Sequence, residues 1–481
     1  MKDNKFEKLK LDEKILKAID LLGFEELSEV QKEAIPYCLN NMDVIVKSQT
    51  GSGKTAAFGI PLCEKVVVDK AMVQGLVLVP TRELAVQVKE EIGKIGRLKK
   101  VRVAAVFGKQ SFSEQVKELK QRVHIVVGTP GRIIDHIERR TIDLSSINTV
   151  VIDEGDKMLN MGFIDQIRDI LKSLSKSKNT FLFSATIPQE IMELCNVYMN
   201  KPKVLDVKSK VFNREKIKES YIRVASQDKL RVLKKLIYSE NSDAIIIFCN
   251  TRDKVKEVVN SLKREKIFAE AIHGDMDQKD RIKVMERFKD REFKILVATD
   301  VAARGIHVDH ITHVINYEPP MEKDAYVHRI GRTGRGDKSG IAISLVSTYE
   351  MKFLNQIEEY IGYSIKLDSE PDQRAVEVGK VTFKDSEKNR FGKKEKGKKG
   401  VSKEVTKIYI NAGKKKKIRP LDIVGSFSNL DGLSGDDIGI IDVQDVCSFV
   451  DILNSKGEGF LRQYKELTIK GKKVKIQRAK K

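Results

Sequence analysis

The pattern that most limits the fold is an alternation of short apolar runs with amphipathic helical segments. In the first part of the chain the runs GLVLVP, VHIVVGTP and TVVIDE occupy residues 75–80, 123–130 and 149–154. Apolar runs of this length, separated by helix-like segments such as ELAVQVKEEIGKI, are typical of βαβ units that build a parallel sheet. The sequence therefore predicts an α/β fold.

The same series of runs occurs a second time, in the same order. VLVPTRE is matched by IIFCNTRD, AAVFGK by AEAIHGD, and HIVVGTPGR by ILVATDVAARG. Ordered self-similarity of this kind indicates an internal duplication. We therefore predict two similar α/β domains, the first lobe at residues 1–206 and the second lobe at residues 217–368, joined near residues 206–216.

The rest of the chain has a different composition. Residues 369–403 include FGKKEKGKKG, whose lysine and glycine content is typical of a flexible basic linker. Residues 404–481 return to apolar runs and helical segments in the order βαββαβ. This order predicts a small split α/β domain, which we call the C-terminal domain.

The charge of the chain indicates a polyanionic partner. Its formal net charge is +21, and 41% of its residues are hydrophobic, which is typical of a folded soluble protein. Nucleic acid is the commonest partner of such a chain, because binding releases counterions. Basic ribosome-associated proteins and membrane-surface proteins carry similar charge, so the motifs must decide.

The cysteine spacing favours a reducing compartment, and the hydropathy argues against a membrane span. The cysteines are far apart in sequence and include no CxxC pair, which argues against a zinc site and against a disulfide framework. They are Cys38, Cys63, Cys195, Cys249 and Cys447. The N-terminal segment has an amphipathic period rather than a signal-peptide core, and no apolar run approaches the roughly 20 residues that span a bilayer. We therefore expect a cytoplasmic protein without a membrane partner.

One glycine-rich segment carries the strongest chemical signal. SQTGSGKT, at residues 48–55, follows the apolar run DVIV and precedes a helical segment, which is the context of a P-loop. Backbone N–H groups at the helix start bind phosphate, while Lys54 reaches the terminal phosphates and Thr55 holds Mg²⁺. The alternative is a glycine-rich turn that caps a helix. The predicted ligands of ATP here are Ser48, Thr50, Gly51, Ser52, Gly53, Lys54 and Thr55.

Acidic residues follow the third apolar run of the first lobe. VVIDEGD places Asp153, Glu154 and Asp156 at a strand end, the edge of a parallel sheet where ligands bind. We predict that Asp153 binds Mg²⁺, that Glu154 orients or deprotonates the attacking water, and that Asp156 lies beside the nucleotide. The alternative is that these carboxylates only cap the next helix.

The second lobe has no copy of the glycine-rich loop but has a basic segment, YVHRIGRTGR. Its arginines Arg329, Arg332 and Arg335 are spaced three residues apart. Because the loop occurs once, we expect one nucleotide on the first lobe, with the second lobe closing over it. Arg332 and Arg335 are the candidate arginine fingers in the closed state. A basic helix cap is the alternative.

The order of these motifs resembles the DEAD-box RNA helicases. The matching segments cover about residues 1–367 and include SQTGSGKT, PTREL, TPGR, DEGD, SAT, HGD, ATDVAARG and HRIGRTGR. The resemblance implies that both lobes are RecA-like, the first an ATP-binding domain and the second a helicase domain. It further implies that Phe24 and Gln31 recognise adenine with Phe6 nearby, and that Asp300 contacts nucleotide. Ser184, Thr186 and His328 would couple the ATP state to the RNA state.

The resemblance also implies a path for RNA across both lobes. Contacts to phosphate and sugar would read little sequence but would favour RNA over DNA. The implied contact residues are Pro80, Thr81, Arg82, Gly108, Thr129, Arg132, Gln278, Arg281 and Thr299. Alternatively, Arg82 and Glu83 form a helix-capping pair and Arg281 is a solvated helix residue.

Three positions depart from the family pattern. Gly155 stands where the family has the alanine of DEAD, a position that contributes no catalytic group, so we expect activity. Lys109 replaces a usual second glycine after Gly108, and His307 replaces a frequent aspartate. These two changes concern RNA contacts and the packing of the closed state.

The C-terminal domain resembles the RNA-binding module of bacterial DEAD-box proteins of the DbpA type, which implies a ribosomal RNA hairpin as target. Tyr409 occupies the stacking position of an RRM first strand. The third strand keeps Phe449 but has Asp445 and Cys447 where a basic and an aromatic residue are usual, which weakens a stacking platform. A basic surface is the alternative contact, unless it is a solvated charge run; it comprises Lys414, Lys415, Lys416, Lys417 and Arg419. Tyr409 and Phe449 are compatible with RNA stacking and with packing.

The combined expectation is an RNA-dependent ATPase and helicase that acts as a monomer. It would open short duplexes locally in 23S ribosomal RNA, on assembly intermediates of the large ribosomal subunit. One alternative is an RNA chaperone or annealer with a weak ATPase. The other is a P-loop enzyme that acts on DNA.

Overall fold

The computed structural model describes residues 5–48, 52–207, 216–300, 311–334, 339–390 and 404–479. The predicted site residues Thr50, Gly51 and Arg335, and the departure His307, lie outside these ranges. The chain forms two compact units. One unit combines Met1–Lys208 with Gly397–Lys481, and the other is Ser209–Lys396.

The first lobe is a seven-stranded parallel sheet in the order β3-β4-β2-β5-β6-β1-β7. Its strands are β1 Val44–Lys47, β2 Gly75–Leu78, β3 Val103–Val106, β4 Ile125–Gly128, β5 Thr149–Asp153, β6 Asn179–Ser184 and β7 Lys203–Asp206. Its helices are α1 Glu13–Leu21, α2 Glu29–Leu39, α3 Lys54–Lys65, α4 Arg82–Ile95, α5 Phe112–Leu119, α6 Pro130–Glu138, α7 Gly155–Asn160, α8 Ile164–Lys172 and α9 Gln189–Tyr198.

Burial explains why these strands are apolar along their whole length. β2, β3 and β4 are buried at every residue, because helices cover both faces of the sheet. Two separate apolar cores result, one on each face. The polar residues that follow β1, β5 and β6 therefore emerge together at the carboxyl edge.

The second lobe repeats this topology. Its sheet has the order β10-β11-β9-β12-β13-β8-β14, so the strands of both lobes, counted from each lobe's first strand, follow the same order. The strands are β8 Ile217–Arg223, β9 Ile245–Phe248, β10 Ala269–Ile272, β11 Ile295–Ala298, β12 His313–Asn316, β13 Gly340–Val346 and β14 Lys366–Asp368. The helices are α10 Lys229–Glu240, α11 Arg252–Arg264, α12 Gln278–Lys289, α13 Lys323–Ile330, α14 Met351–Ile361 and α15 Gln373–Arg390. The prediction of two tandem RecA-like sheets is confirmed.

Helix α15 differs from the flexible linker expected from residue 369. Val376, Gly379 and Phe383 lie on one helical face and are buried against α10. The Phe383 ring meets Tyr238 edge to face with centroids 5.7 Å apart. A Cβ at position 379 would lie 1.9 Å from the Tyr238 carbonyl oxygen, so glycine permits the close approach of the two helices. The lysine-rich composition that begins further along the chain hid this short apolar stripe.

The C-terminal domain is an antiparallel five-stranded sheet with two helices, in the strand order β16-β17-β15-β19-β18. The elements are β15 Thr406–Ile410, α16 Pro420–Ser428, β16 Ile438–Val443, β17 Ser448–Ile452, α17 Gly457–Gln463, β18 Glu466–Ile469 and β19 Lys472–Arg478. The predicted βαββαβ order is present, with one more strand than expected. The turn at Lys470 and Gly471, both at positive φ, divides the last run into a hairpin.

Within the described ranges, the chain has no helix that is both long and apolar enough to span a bilayer.

Candidate nucleotide and RNA sites

The phosphate loop joins β1 to α3. Gly53 has φ of +89°, a conformation that glycine adopts without strain, and Lys54 begins the helix. The Lys54 ammonium is buried and donates a hydrogen bond to the Ser48 carbonyl at 3.1 Å. Ser48 is itself fixed by its N–H bond to the Ser184 carbonyl on β6, 2.9 Å away. The described part of the loop is thus held by β1, by β6 and by the start of α3.

The start of α2 clamps the other side of the loop. Ser28 Oγ donates to the Ser52 carbonyl at 2.9 Å, and Gln31 Nε2 donates to the Gly53 carbonyl at 3.2 Å. Gln31 Oε1 also accepts from the Ser28 N–H, which completes a capping box. The contribution of Ser28 was not predicted, although the sequence SEVQ carries the capping-box signature. In this arrangement Gln31 contacts the loop, and its adenine role stays a prediction.

The aromatic residues assigned to adenine lie together. Phe6 is buried and Phe24 is 38% exposed. Their rings are near parallel, at 25°, with centroids 6.4 Å apart. Phe24 therefore presents an open aromatic face next to a supporting ring.

The carboxylates of DEGD lie at the carboxyl end of β5. Asp153 is 3% exposed, and its Oδ1 accepts the Glu154 N–H at 3.0 Å. Burial raises the pKa of Asp153 to about 7; the Lys54 charge lowers this pKa and the Glu154 charge raises it. A buried carboxylate of this kind is stabilised in its charged form by a cation.

Glu154 forms a buried ion pair that was not predicted. Its Oε1 lies 2.6 Å from the Lys157 ammonium, and both side chains are 5% exposed. Glu154 has φ of +56° and precedes the short helix α7, which brings Lys157 back over it. The i, i+3 spacing of Glu and Lys in DEGDK was the available sequence signal. Lys157 therefore orients the carboxylate expected to act on water.

Asp156 connects DEGD to the SAT segment. Its Oδ2 accepts from the Thr186 N–H at 2.9 Å and from the Thr186 hydroxyl at 3.0 Å. Its own N–H donates to Ser184 Oγ at 3.0 Å. Burial acts to raise the pKa of Asp156, but these hydrogen bonds and the Lys54 and Lys157 charges together lower it. Two of the three residues predicted to couple ATP to RNA, Ser184 and Thr186, therefore contact Asp156 directly.

The predicted RNA residues of the first lobe follow β2, β3 and β4 at the same sheet edge. Thr81 caps α4 by accepting the Leu84 N–H at 3.3 Å, so the cap is Thr81 rather than Arg82 and Glu83. The Arg82 guanidinium lies beside Gly108, 3.4 Å from where a Cβ would stand. Thr129 is the N-cap residue that precedes α6, and it donates its N–H to the Val106 carbonyl. Pro80 is buried just before Thr81.

Arg132 is held in a polar network around Gln115, which is fully buried. The Arg132 guanidinium donates to Gln115 Oε1 at 3.1 Å and to the Gln110 carbonyl at 3.2 Å. His136 stacks on Phe112 with ring centroids 4.4 Å apart, and burial lowers its pKa to about 4. A neutral histidine here keeps positive charge away from Arg132.

In the second lobe, Arg329 is the centre of a saturated buried cluster. It makes a bidentate pair with Asp300 at 2.6 and 2.7 Å, and it is 1% exposed. The guanidinium also donates to Asn250 Oδ1 at 2.8 Å, to the Glu318 carbonyl at 2.7 Å and to Asn316 Oδ1 at 3.3 Å. Asp300, predicted to contact nucleotide, therefore binds Arg329 in this structure.

The remaining predicted residues of the second lobe are partly described. Arg332 is 3% exposed and donates from Nε to the His328 carbonyl at 3.1 Å. Thr299 and Arg281 are 9% and 8% exposed, so the alternative of a solvated Arg281 is wrong. Gln278 begins α12.

In the C-terminal domain, Tyr409 and Phe449 face each other on adjacent strands. Their ring centroids are 5.6 Å apart at 65°, and both rings are half-buried. Lys414, Lys415 and Arg419 are exposed at the turn and helix start that follow β15. Both the aromatic pair and the basic segment are therefore open to a ligand.

The groups in the first lobe suit ATP and Mg²⁺. A Cβ at position 53 would lie 2.6 Å from Gln31 Nε2, so the loop backbone depends on glycine. The start of a twelve-residue helix, a buried ammonium and a buried carboxylate meet at one sheet edge. Thr55 and Asp153 carry oxygen atoms of the kind that Mg²⁺ prefers as ligands. The fold and the site together define a two-lobed P-loop nucleoside triphosphate hydrolase.

Comparison with known proteins narrows this class. The DEAD/DEAH box helicase family matches residues 28–194, the helicase conserved C-terminal domain matches 228–337, and the DbpA RNA binding domain matches 407–478. The ATP-dependent RNA helicase DbpA of Bacillus subtilis is 48% identical over 476 residues, 99% of each chain. The DEAD-box helicase CshA of Geobacillus kaustophilus is 46% identical over 73% of this chain and 76% of its own.

Solved structures of DEAD-box proteins have the same fold as this chain. Dbp5 of S. cerevisiae, bound to RNA and ADP BeF3, superposes with a TM-score of 0.71 at 30% identity, covering 80% of this chain and all of its own. Mss116p bound to ssRNA and AMP-PNP superposes with a TM-score of 0.68 at 30% identity, covering 79% and 81%. The chain belongs to the DEAD-box ATP-dependent RNA helicases, as a member of the DbpA type with a C-terminal RNA-binding domain.

Proposed function

We propose that this helicase opens short RNA duplexes locally in 23S ribosomal RNA during assembly of the large ribosomal subunit. The observation that carries the proposal is the C-terminal domain, which matches the DbpA RNA binding domain over residues 407–478. The exposed lysines that follow β15 give it a surface suited to a structured RNA hairpin. The lobes themselves would contact phosphate and sugar, so target choice falls to this domain.

We further propose how the nucleotide site works. Lys54 and the loop N–H groups bind the phosphates, while Asp153 and Thr55 hold Mg²⁺, which when bound neutralises charge on the transferred phosphoryl group. Glu154, oriented by Lys157, positions and deprotonates the attacking water. Arg332 and Arg335 would act when the second lobe closes over the nucleotide.

Coupling to RNA follows from the contacts of Asp156. A shift of the carboxylate cluster during hydrolysis would reach Thr186 through its two hydrogen bonds to Asp156. RNA would be held in the first lobe by Thr81, Arg82, Gly108, Thr129 and Arg132. In the second lobe it would be held by Gln278, Arg281 and Thr299.

We also propose that the protein acts as a monomer in a reducing compartment. The five cysteines are free thiols and all are buried. Their burial leaves no thiol on the described surface to link two chains.

A matched set of RNAs tests the target. We expect ATP turnover to be stimulated most by 23S rRNA fragments, less by unrelated hairpins of equal length, and little by DNA of the same sequence. The variant Lys414→Glu/Lys415→Glu should lose the preference for 23S fragments, whereas Lys172→Glu/Lys176→Glu, which makes the same charge change on the first lobe, should keep it. Equal stimulation by all RNAs would contradict the 23S target.

Crosslinking of the intact protein to total cellular RNA provides the independent measurement. Reads should concentrate in 23S rRNA and should disperse in the Lys414→Glu/Lys415→Glu variant. An RNA annealer with weak ATPase would instead show turnover that does not respond to any structured RNA.

A further inference from the structure

A fully buried glutamine lies behind the predicted RNA edge of the first lobe. Gln115 belongs to α5 and is 0% exposed. A buried amide costs free energy unless its nitrogen and its oxygen both find hydrogen-bond partners. Both atoms of Gln115 have partners, and these belong to the segment that follows β3 and to α6. The contacts of this one side chain therefore join the two segments that carry Gly108 and Arg132.

The contacts of the nitrogen fix the orientation of the amide. Gln115 Nε2 donates to the Phe107 carbonyl at 2.8 Å and to Gln110 Oε1 at 2.9 Å. A backbone carbonyl can only accept a hydrogen bond, so the atom that faces Phe107 has to be the amide nitrogen. The amide cannot rotate by half a turn without losing this bond. Its oxygen is therefore held toward α6.

The oxygen of the same amide holds Arg132. Gln115 Oε1 accepts from Arg132 Nη1 at 3.1 Å. Nη1 also donates to the Gln110 carbonyl at 3.2 Å, and Arg132 Nε lies 3.1 Å from the Asp135 carboxylate. Among the residues that the structure describes, none accepts a hydrogen bond from Nη2. One nitrogen of a fixed guanidinium is thus left for a phosphate oxygen, whose geometry a guanidinium matches.

His136 fixes the amide oxygen from a second direction. Its Nε2 lies 3.0 Å from Gln115 Oε1, and because this oxygen can only accept, Nε2 carries a proton. Its Nδ1 lies 2.7 Å from the Thr141 hydroxyl. Burial lowers the pKa of His136 to about 4, so the ring is neutral and Nδ1 accepts from Thr141. The hydrogen bonds from Thr141 to His136 and from His136 to Gln115 therefore run in one direction.

An aromatic ring supports both ends of this network. Phe112 stacks on His136 with centroids 4.4 Å apart and planes at 17°. The Arg132 guanidinium carbon lies 5.7 Å from the centroid of the same Phe112 ring, within the range of a cation–π contact. A free arginine side chain loses much rotamer entropy when it binds a ligand. Here the fold has already restricted the Arg132 side chain before any ligand arrives.

We propose that Gln115 and His136 are positioning residues for RNA, which hold the Arg132 guanidinium in the geometry that binds a backbone phosphate. Gln115 is buried and acts only through Arg132, so this role rests on the RNA contact of Arg132 proposed above. Loss of either positioning residue raises the RNA concentration that the motor needs. It leaves turnover at saturating RNA unchanged, because the described hydrogen bonds of Gln115 and His136 do not reach the carboxylates of DEGD.

RNA-stimulated ATP turnover of the full-length chain tests this role, with a mixed-sequence single strand that lacks the hairpin proposed as target of the C-terminal domain. Gln115→Met fills a similar space but removes both polar atoms. We expect the RNA concentration for half-maximal stimulation to rise about tenfold, the equilibrium worth of one hydrogen bond to a charged group. Turnover at saturating RNA should stay within about twofold. The slope of log affinity against log salt should become shallower by about 0.7 in Gln115→Met and in Arg132→Met, because each loses one phosphate contact.

A double variant separates positioning from a general loss of structure. In Arg132→Met, the further change Gln115→Met should raise the half-maximal RNA concentration by less than about twofold, because the side chain through which Gln115 acts is gone. Gln74→Met is the matched control. Gln74 is 4% exposed and bonds to the backbone of Val67 at the opposite edge of the same sheet. Its replacement should lower the unfolding temperature but leave the RNA concentration and the salt slope unchanged.

His136 supplies a second pair of variants in case Gln115→Met does not fold. His136→Phe keeps a ring against Phe112 but loses the N–H to Gln115, and should raise the half-maximal RNA concentration about threefold. His136→Gln can place an N–H near the same point and should stay closer to the wild type.

Three outcomes decide the matter. An unchanged RNA concentration in Gln115→Met, or in His136→Phe if Gln115→Met does not fold, would overturn the proposal. So would effects of Gln115→Met and Arg132→Met that multiply in the double variant. An unchanged RNA concentration in Arg132→Met would overturn the Arg132 contact together with its positioning, whereas the preference for 23S rRNA is measured separately with Lys414→Glu/Lys415→Glu.

Discussion

The two lobes share one strand order yet use the charges at their sheet edges in opposite ways. In the second lobe, the Arg329 guanidinium forms hydrogen bonds to Asp300, Asn250, Asn316 and Glu318. Its positive charge is therefore balanced by groups inside the fold. In the first lobe, burial raises the pKa of Asp153 and the Lys54 ammonium donates to the backbone of the phosphate loop. The same topology therefore builds the candidate nucleotide site in one lobe and the saturated ion cluster around Arg329 in the other.

The largest effect is expected when a carboxylate is replaced by an amide at the end of β5 in the first lobe, compared with the same replacement at the end of β12 in the second lobe. Glu154→Gln, after β5, should reduce ATP turnover about 1,000-fold because the amide cannot accept a proton from water, a loss of roughly 4 kcal/mol in transition-state stabilisation. Binding of ATP and RNA should remain, as measured by fluorescent nucleotide titration. Glu318→Gln, after β12, is the matched control and should keep turnover within a fewfold. Normal turnover in Glu154→Gln would remove Glu154 from its proposed role.

The next test removes one buried cation from each lobe. Arg329→Met should destabilise the second lobe by about 3–5 kcal/mol, because Asp300 loses its bidentate partner. Calorimetry, with hydrogen exchange to assign the transition, measures this change. Lys54→Met should abolish nucleotide binding but change unfolding by less than about 1 kcal/mol, because Asp153 can take up a proton when the neighbouring charge is lost. If Arg329→Met and Lys54→Met destabilised their lobes equally, the two lobes would not differ in how they use their buried cations.

The pH dependence of metal-nucleotide binding is a third test. Asp153 must lose its proton to bind Mg²⁺, and its pKa is about 7, so affinity should fall roughly tenfold between pH 8 and pH 6. Without ligand, the raised pKa of Asp153 has the opposite pH dependence for stability. The folded protein holds this proton more tightly than the unfolded chain does, so the free energy of unfolding decreases as pH rises from about 4 to about 7. Asp153→Asn should bind weakly, with a flatter dependence. If affinity changed with pH equally in the wild type and in Asp153→Asn, the pH dependence would come from titration of the nucleotide rather than of Asp153.

The smallest effect is expected at Gly155. A Cβ there would lie 3.1 Å from Leu182 Cδ1, the end of a side chain that can shift. Gly155→Ala should therefore change stability by less than about 1 kcal/mol and turnover by less than about threefold. Gly379→Ala in the second lobe is the contrasting glycine, because its Cβ would meet the Tyr238 backbone and should detach α15. A large loss of turnover in Gly155→Ala would show that the glycine is a functional departure.

Much of the fold followed from local patterns. The apolar runs predicted β2, β4 and β5, because a strand buried on both faces has to be apolar throughout. The duplicated order of segments predicted the shared topology. The stripe of Val376, Gly379 and Phe383 was missed, because three positions just before a lysine-rich segment give only a weak periodic signal. The fifth strand of the C-terminal domain was missed, because a Lys-Gly turn is a weaker signal than Asn-Gly.

The sequence by itself determined the residues of the phosphate loop and of DEGD, because their spacing is fixed by local backbone geometry at a strand end. Only the tertiary structure decided what surrounds them. The capping of the loop by Ser28 and the saturation of Arg329 depend on side chains brought together from distant segments. The ion pair of Arg97 with Asp451 depends on the same kind of contact, because it joins residues that no local pattern relates.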